Sequence, residues 1–563
     1  MSLPSRAANR HESPAQAAPQ TSASVAPAPA SNLLIQTMQQ EVQRAMQGLA
    51  QSNPKPYFIS YSVDDHQTAV VFAEHGALFT STVTRRRQLD VSVRVGSATL
   101  DNTDDGGLAS GVSSDLLPVD DDPGAIAHVL WETTYVEYKK AAAAYLQVKT
   151  NHSVEAQPDN LPDFSTEAPH VSLSDPAAPL HFDQAHWETV LRQYSGLFNK
   201  YPEILNSVVM LSLDHATRYF VSSEGTRIIT SSPIARLSIV GEARADDGME
   251  LTRTESFDAA GPSGLPGQPQ IEAAVQKMAE ELIELRQAPV VEPYSGPALL
   301  SGRAAAVFFH EVLGHRVEGH RQRGNQEGQT FAKKIGQMVL PPFLTVVDDP
   351  LQTEAGSIRL SGQYQFDSEG VPAEKTLVVE KGVLKNFLMS RMPVKGFSTS
   401  NGHGRAQDGL MPEGRQGNLI VTSTKTVPDA KMVGKLIDEV RKQKKPYGLY
   451  FQDISGGLTL TQRTEPQAFK VIPVVVWKVF PDGRKPQLVR GVDIVGTPLD
   501  ALTKIVLTGN TQQVFDGECG AESGSIPVSA VAPAMLFSQI EVQKKAQSHN
   551  RPPILPPPAS GGN

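Results

Sequence analysis

Leu34, Met38, Val42, Ala45 and Leu49 recur at steps of four and three, which predicts an amphipathic helix near the start of the ordered chain. The period then changes. Tyr57, Ile59, Tyr61 and Val63 alternate with polar neighbours, as do Leu89, Val91, Val93 and Val95, so strands follow. A long helix is expected from about Ile126 to Val148, and another from near Asp183. Strands should fill Val208 to Val240, and Ile271, Val275, Met278, Leu282 and Leu285 mark a closing helix. The stretch 151–180 carries several Pro and Asp and is expected to wander over the surface. These apolar stripes read as core faces, and no chemistry attaches to them.

The pattern breaks near 290, where Ala288-Pro289 and Glu292-Pro293 interrupt it. Beyond the break the chain is mostly strands with glycine-bearing turns. Leu377 to Val379 and Val383 to Met389 flank Glu380-Lys381-Gly382 as a hairpin, and Val471 to Phe480 and Leu488 to Val495 flank Pro481-Asp482-Gly483 as another. Two helices intervene, one carrying Met432, Leu436 and Val440, the other opening at Thr497-Pro498. No internal repeat is found. The expected fold is α+β in two domains: a mixed α/β domain over 32–290, and a strand-rich domain over 291–548. The second is a curled sheet or partial barrel that carries the chemically interesting helix. Residues 1–31, rich in Ala and Pro, and 549–563, rich in Pro and Gly, are expected to be disordered tails.

Composition narrows the function classes. The chain has 563 residues, enough for two domains of ordinary size, and its 39% hydrophobic content suits a globular protein. A formal net charge of −9 argues against a nucleic-acid partner, which would need a basic face. Arg85-Arg86-Arg87 and Lys442-Gln443-Lys444-Lys445 are short basic runs, each read as a solvated strand or helix end. A single cysteine permits no intrachain disulfide and fits a reducing compartment. No apolar run reaches transmembrane length, and Met1 to Ala30 lacks the apolar stretch of a signal peptide, so no membrane partner and a cytoplasmic location are expected.

His310-Glu311-Val312-Leu313-Gly314-His315 follows directly on the apolar run Ala304 to Phe309. Two imidazoles and a carboxylate within six residues supply two ligands for a divalent metal and a base for its water. Histidines four apart share a helix face, whereas histidines five apart are rotated by about 140° on an ideal helix. The helix must therefore end or bend between them. The spacing predicts a helix from about Arg303 to Leu313, capped by Ser301, that unwinds at Gly314 and delivers His315 from an irregular turn. The bland alternative makes His310 a hydrogen-bonded helix residue and His315 a C-cap. Cys519, read as lying in a turn between Gly517 and Gly520, is the natural candidate for a third ligand.

His310 to His320, HEVLGHRVEGH, and Gly517 to Val528, GECGAESGSIPV, together resemble the TldD/PmbA family of metallopeptidases, in its branch bearing HExxxH. The glycine-rich segments Ser400 to Arg405 and Asp453 to Gly457, and the stretch Gly491 to Gly496, are similar to that family as well. The resemblance implies that His310, His315 and Cys519 bind the metal and that Glu311 is the catalytic base. It matches Glu318 to an acidic position beside the ligands, where supporting them is plausible. The chain departs from the family at His320, where many relatives carry an acidic residue, so His320 and the glycine-flanked His403 stand as rival or supporting groups. Arg405 and the backbone N–H groups of 400–405 are candidates to stabilise an oxyanion.

The expected cofactor is zinc, with iron(II) also compatible with a His-His-Cys set. The expected activity is hydrolysis of peptides or unfolded polypeptide, with a metal-bound water giving its proton to Glu311. The resemblance further implies an enclosed homodimer or a heterodimer with a related subunit. Two alternatives remain open: a metal-dependent hydrolase of other amides or esters, and a non-catalytic subunit of a peptidase complex. A modulator of a DNA-associated enzyme, the family's older association, ranks last on charge.

Overall fold

The computed structural model describes residues 30–103, 111–154, 161–323 and 327–545. Both expected tails lie almost wholly outside the described residues. The chain is α+β, with 25% helix and 43% strand.

Helix α1 (Ala30–Gly48) leads into two long strands, β1 (Pro56–Glu74) and β2 (Ala77–Ser97). Their register pairs Ile59 with Val93, Tyr61 with Val91 and Val63 with Leu89, which sets the alternating apolar residues side by side on one buried face. Helix α2 (Pro123–Val154) and α1 cover that face. Both strands run far beyond the short elements their apolar alternation predicts. Asp64, Asp65 and His66 stand opposite Gln88, Arg87 and Arg86, so the polar centre of one strand meets that of the other. Arg87 is 3% exposed and paired with Asp65 at 2.9 Å and Asp121 at 2.8 Å. The arginine run thus lies inside a strand, where Arg85 and Arg86 are exposed as expected and Arg87 is buried.

Helix α3 (Gln184–Gly196), capped by the Asp183 carboxylate on the His186 N–H, precedes β3 (Ile204–Ser222), β4 (Arg227–Arg244) and β5 (Glu250–Ala259). These complete an antiparallel sheet of order β2-β1-β3-β4-β5, on which α3 and α4 (Gln268–Gln287) pack. The stretch 161–165 departs from its surface assignment: Phe164 is buried and the Asp163 carboxylate accepts the Asp101 N–H at 2.7 Å.

The second sheet starts with β6 (Tyr294–Leu300), which leads into α5 (Gly302–Val312). Further strands are β7 (Leu344–Asp348), β8 (Thr376–Glu380) and β9 (Asn418–Ser423), then α6 (Met432–Lys442), β10 (Gly448–Thr459), β11 (Phe469–Val479) and β12 (Val492–Gly496). After α7 (Pro498–Thr503) come the long partners β13 (Ile505–Ala521) and β14 (Gly524–Lys544). Strands β14, β12, β11, β10 and β6 pair in that order, and β6 pairs back onto β14, which closes a five-stranded barrel. Both predicted hairpin regions form. Strand β9 runs parallel to β14 and extends the sheet to β7 and β8.

Helix α5 is buried throughout except at Arg303, in keeping with the unbroken apolar run from Ala304 to Phe309. Phe308 meets Phe469 and Phe537 of the barrel edge-on, at 5.6 and 5.1 Å between ring centres. Its one polar end carries the site.

Candidate metal centre

Ser301 Oγ accepts the Ala304 N–H at 3.1 Å and fixes the start of α5. The helix ends at Val312, and Gly314–Val317 continue as one 3₁₀ turn that swings His315 round beside His310. The two rings lie 4.8 Å apart at 76°. The expected break is present, but its glycine is needed for another reason. Gly314 is absent from the positive-φ positions, and a Cβ there would stand 1.9 Å from Gln416 Oε1. Close approach by a buried amide, not backbone freedom, excludes a side chain at 314.

Cys519 arrives from a distant part of the chain. It lies within β13, paired with Ile526 of β14, so the expected turn between Gly517 and Gly520 is replaced by strand and the chain reverses at Glu522-Ser523. The flanking glycines extend the hairpin instead of ending it. Cys519 Sγ stands 3.5 Å from His315 Nε2, and the three donor atoms of His310, His315 and Cys519 lie within 4.8 Å of one another. Tetrahedral zinc with its usual bond lengths separates N and S ligands by about 3.5 Å. All three residues are buried, and the set of two imidazoles and one thiol is compatible with such an ion.

Other groups hold this trio. His315 Nδ1 meets Glu318 Oε1 at 3.2 Å, which turns Nε2 toward the thiol. Glu318 is fully buried and accepts Arg321 Nε at 2.8 Å. Arg415, also fully buried, donates Nη2 to the Cys519 carbonyl at 2.6 Å and to Sγ at 3.2 Å. Burial alone would push the Cys519 thiol up, but the His315 and His310 rings hold it well below its ordinary range. Burial likewise opposes charge on His315, yet the thiol and Glu318 carry it well above its ordinary value. Glu318 is held well below the usual carboxylate range: burial opposes its charge, and His315 and Arg321 overcome it.

Glu311 lies one residue beyond His310, with its side chain against Gly457 of β10. A Cβ at 457 would meet Glu311 Cγ at 2.6 Å and the Lys470 carbonyl oxygen at 2.9 Å. Arg316 ties the turn to the barrel through Thr459 Oγ1 and the carbonyls of Leu460 (2.9 Å) and Ala468 (3.1 Å).

His310, Glu311, His315 and Cys519 line a cavity of about 300 Å³. Its walls are Ser455–Thr459 of β10 and the Phe515 and Glu518–Glu522 stretch of β13 and its turn. Beyond Phe451, β10 pairs only with β11, and beyond Gly509, β13 pairs only with β14. Each therefore carries a strand edge without a partner strand among the described residues.

The remaining expected site residues fall elsewhere. His403 is fully buried between Asn401 and Asp348, outside the cavity lining. Arg405 donates to the carbonyls of Gln416 (2.5 Å) and Pro527 (2.8 Å) and stacks on Tyr364, so it is committed to structure, not to the cavity. His320 lies apart from the trio, near Glu413 and Glu522. Sequence reasoning missed Arg415, and it gave no role to Arg316 within 310–320 or to Gly457 within 453–457. Only the glycines beside Arg415 and Gly457 hinted at close packing there.

Residues 293–544 match the family model of the PmbA/TldA metallopeptidase C-terminal domain, and this half of the chain belongs to the TldD/PmbA family. Among individual relatives, a metalloprotease of Archaeoglobus fulgidus is 28% identical over 267 residues, covering 46% of this chain and 57% of that one. A Saccharolobus solfataricus protein named a zinc metalloprotease TldD homolog is 23% identical, covering 57% of this chain and 68% of its own. The chain spans about half the length of the first curated relatives it matches. The crystal structure of TldE from Thermococcus kodakarensis superposes on 90% of this chain and all of its own, with a TM-score of 0.58 at 14% identity, a likeness of fold. No helix among the described residues is long and apolar enough to cross a membrane.

Proposed function

We propose that this chain is a metal-dependent peptidase acting on peptides or unfolded polypeptide, with His310, His315 and Cys519 as ligands and Glu311 as general base. The observation that carries the reading is the convergence of three buried donors and a carboxylate on one cavity walled by two open strand edges. The relatives' names support the reaction class, and one of them names zinc. Iron(II) suits the same donors.

A bound zinc ion supplies Lewis acidity toward a carbonyl and makes a water acidic near neutral pH. The protein does the rest. Gly457 leaves space for the Glu311 carboxylate, which accepts the water's proton and returns it to the departing amine. Glu318 fixes the His315 ring, and Arg415 supports the thiolate. The open edges of β10 and β13 offer N–H and C=O groups to an extended chain, a mode of binding that tolerates many sequences because it reads the backbone. A folded protein offers no such free strand.

Assembly as a homodimer, or with a related subunit, belongs to the same proposal, as does a cytoplasmic setting that keeps the lone thiol reduced. Metal content and cleavage of an unstructured peptide, measured on the parent beside Cys519→Ala and His315→Ala, test the core of it. Near-stoichiometric metal lost together with cleavage in both variants is the expected result. A parent that stays metal-free and inactive after reconstitution overturns it in favour of a non-catalytic subunit. Turnover of simple esters and amides exceeding that of a peptide pool would instead select the other-substrate alternative.

A further inference from the structure

The surroundings of His320 are unusual for a buried histidine. Its side chain is 8% exposed, and neither ring nitrogen has a hydrogen-bond partner among the described residues. Leaving a buried imidazole without a partner is unfavourable. Its Nε2 points at Glu413 Oε2 across 3.6 Å, and that oxygen is itself buried without a hydrogen-bond partner. A hydrogen bond between imidazole and carboxyl would close to about 3 Å. Two ligands on one tetrahedral ion, by contrast, stand about 3.4 Å apart. Glu522 completes the group: donor atoms of His320, Glu413 and Glu522 all lie within 4.8 Å of one another.

We propose that His320, Glu413 and Glu522 form a second divalent-cation site beside the first, taking a divalent transition ion such as zinc or manganese. One imidazole and two carboxylates match the preferences of those ions. Around the ring the carboxyl groups of Glu318, Glu413 and Glu522 face the guanidinium groups of Arg321 and Arg415, and burial raises Glu413 to about 7. Access exists as well: Glu522 is 47% exposed and lines the cavity that holds Cys519. Arg321 donates to both oxygens of Glu522 (3.1 and 2.6 Å) and to Glu318 (2.8 Å), so it orients one carboxylate of each group and joins the two sites. The fourth position of such an ion is free for a substrate oxygen. The site stands on its own residues and does not depend on the metal reading of the trio.

Cobalt(II) loading of the chelator-treated full chain separates the two sites. Thiolate ligation gives a charge-transfer band in the near ultraviolet that a histidine–carboxylate site lacks. The parent should take up two equivalents and show the band. Cys519→Ser should keep one equivalent without it, whereas Glu413→Gln and His320→Ala should each keep one equivalent with it, the second binding at least about tenfold more weakly. Glu413→Gln is isosteric, so it carries the test if His320→Ala fails to fold. A parent that binds one equivalent, unchanged in Glu413→Gln and lost in Cys519→Ser, overturns the second site and leaves the first. One equivalent without the band, lost in Glu413→Gln alone, keeps the second site and removes the first.

Discussion

Cys519 is a buried thiol faced by two imidazoles and a guanidinium, and Glu311 is a buried carboxylate resting on a glycine. Each placement has a separable consequence. Under the proposed mechanism, Glu311→Gln keeps the size of the side chain and loses the proton acceptor. Peptide cleavage should then fall about 10²–10⁴-fold with metal content unchanged, as read by elemental analysis beside turnover. Arg415→Met removes a donor from Sγ and leaves the three donors in place. Metal affinity should drop about 10–100-fold, measured by competition with a chelator. A variant with parental affinity would reduce Arg415 to a clamp on the Cys519 carbonyl. The sequence disclosed Glu311 and the three donors because their chemistry sits in short motifs. Arg415 lies 104 residues from the thiol it touches, and no local pattern links the two.

At the scale of elements, the barrel strands position the site by what they omit. Gly457 lies mid-strand, where glycine weakens β structure, and its register opposite Val471 gives no reason for it. The reason is Glu311 above it. Gly457→Ala should displace that carboxylate, lowering cleavage while metal stays bound, at a cost of about 1–3 kcal/mol by denaturant unfolding. Parental activity in that variant would show that Glu311 has space to shift. Elements with a strong local signal were legible: the Ser301 cap, the end of α5 before His315, and the hairpin around Lys381-Gly382. Strands β1 and β2 were read short because Asp64-Asp65-His66 and Arg85-Arg86-Arg87 break the alternation. Their apolar flanks show; the cross-strand pairing of Asp65 with Arg85 and Arg87 does not. Cys519 was assigned to a turn because glycines flank it, and glycine also serves extended strands where neighbours approach closely.

Across the molecule, ion pairs tie the first sheet to the strands around the cavity. Arg253 donates to Asp453 of β10 at 2.6 Å, and Arg236 reaches Glu518 of β13 at 3.3 Å. His66 bridges Asp214 of β3 (2.9 Å) and Asp408 of the second half (2.8 Å). Burial opposes charge on His66, but the two carboxylates raise it from 6.5 to about 10. A raised folded-state value contributes stability that is complete below pH 6.5 and is lost as pH climbs toward 10. The thermal midpoint should decline over that window in the parent, and the decline should shrink in His66→Gln. Equal declines in the two proteins would assign it to other groups. None of these inter-sheet pairs was legible in sequence, since each joins residues far apart in the chain through a fold that had first to be known.

The hairpin of β13 and β14 brings Cys519 to His315 across a separation of 204 residues in sequence. During synthesis the segment with both histidines leaves the ribosome long before the thiol does, and α5 has no complete barrel to enter until β14 follows. A peptidase of the proposed kind, acting on unfolded chains, would have its own nascent chain as the first substrate at hand. Under the proposed function the metal centre cannot be assembled until Cys519 and the β13–β14 hairpin have emerged and folded, so the order of translation itself delays the onset of activity.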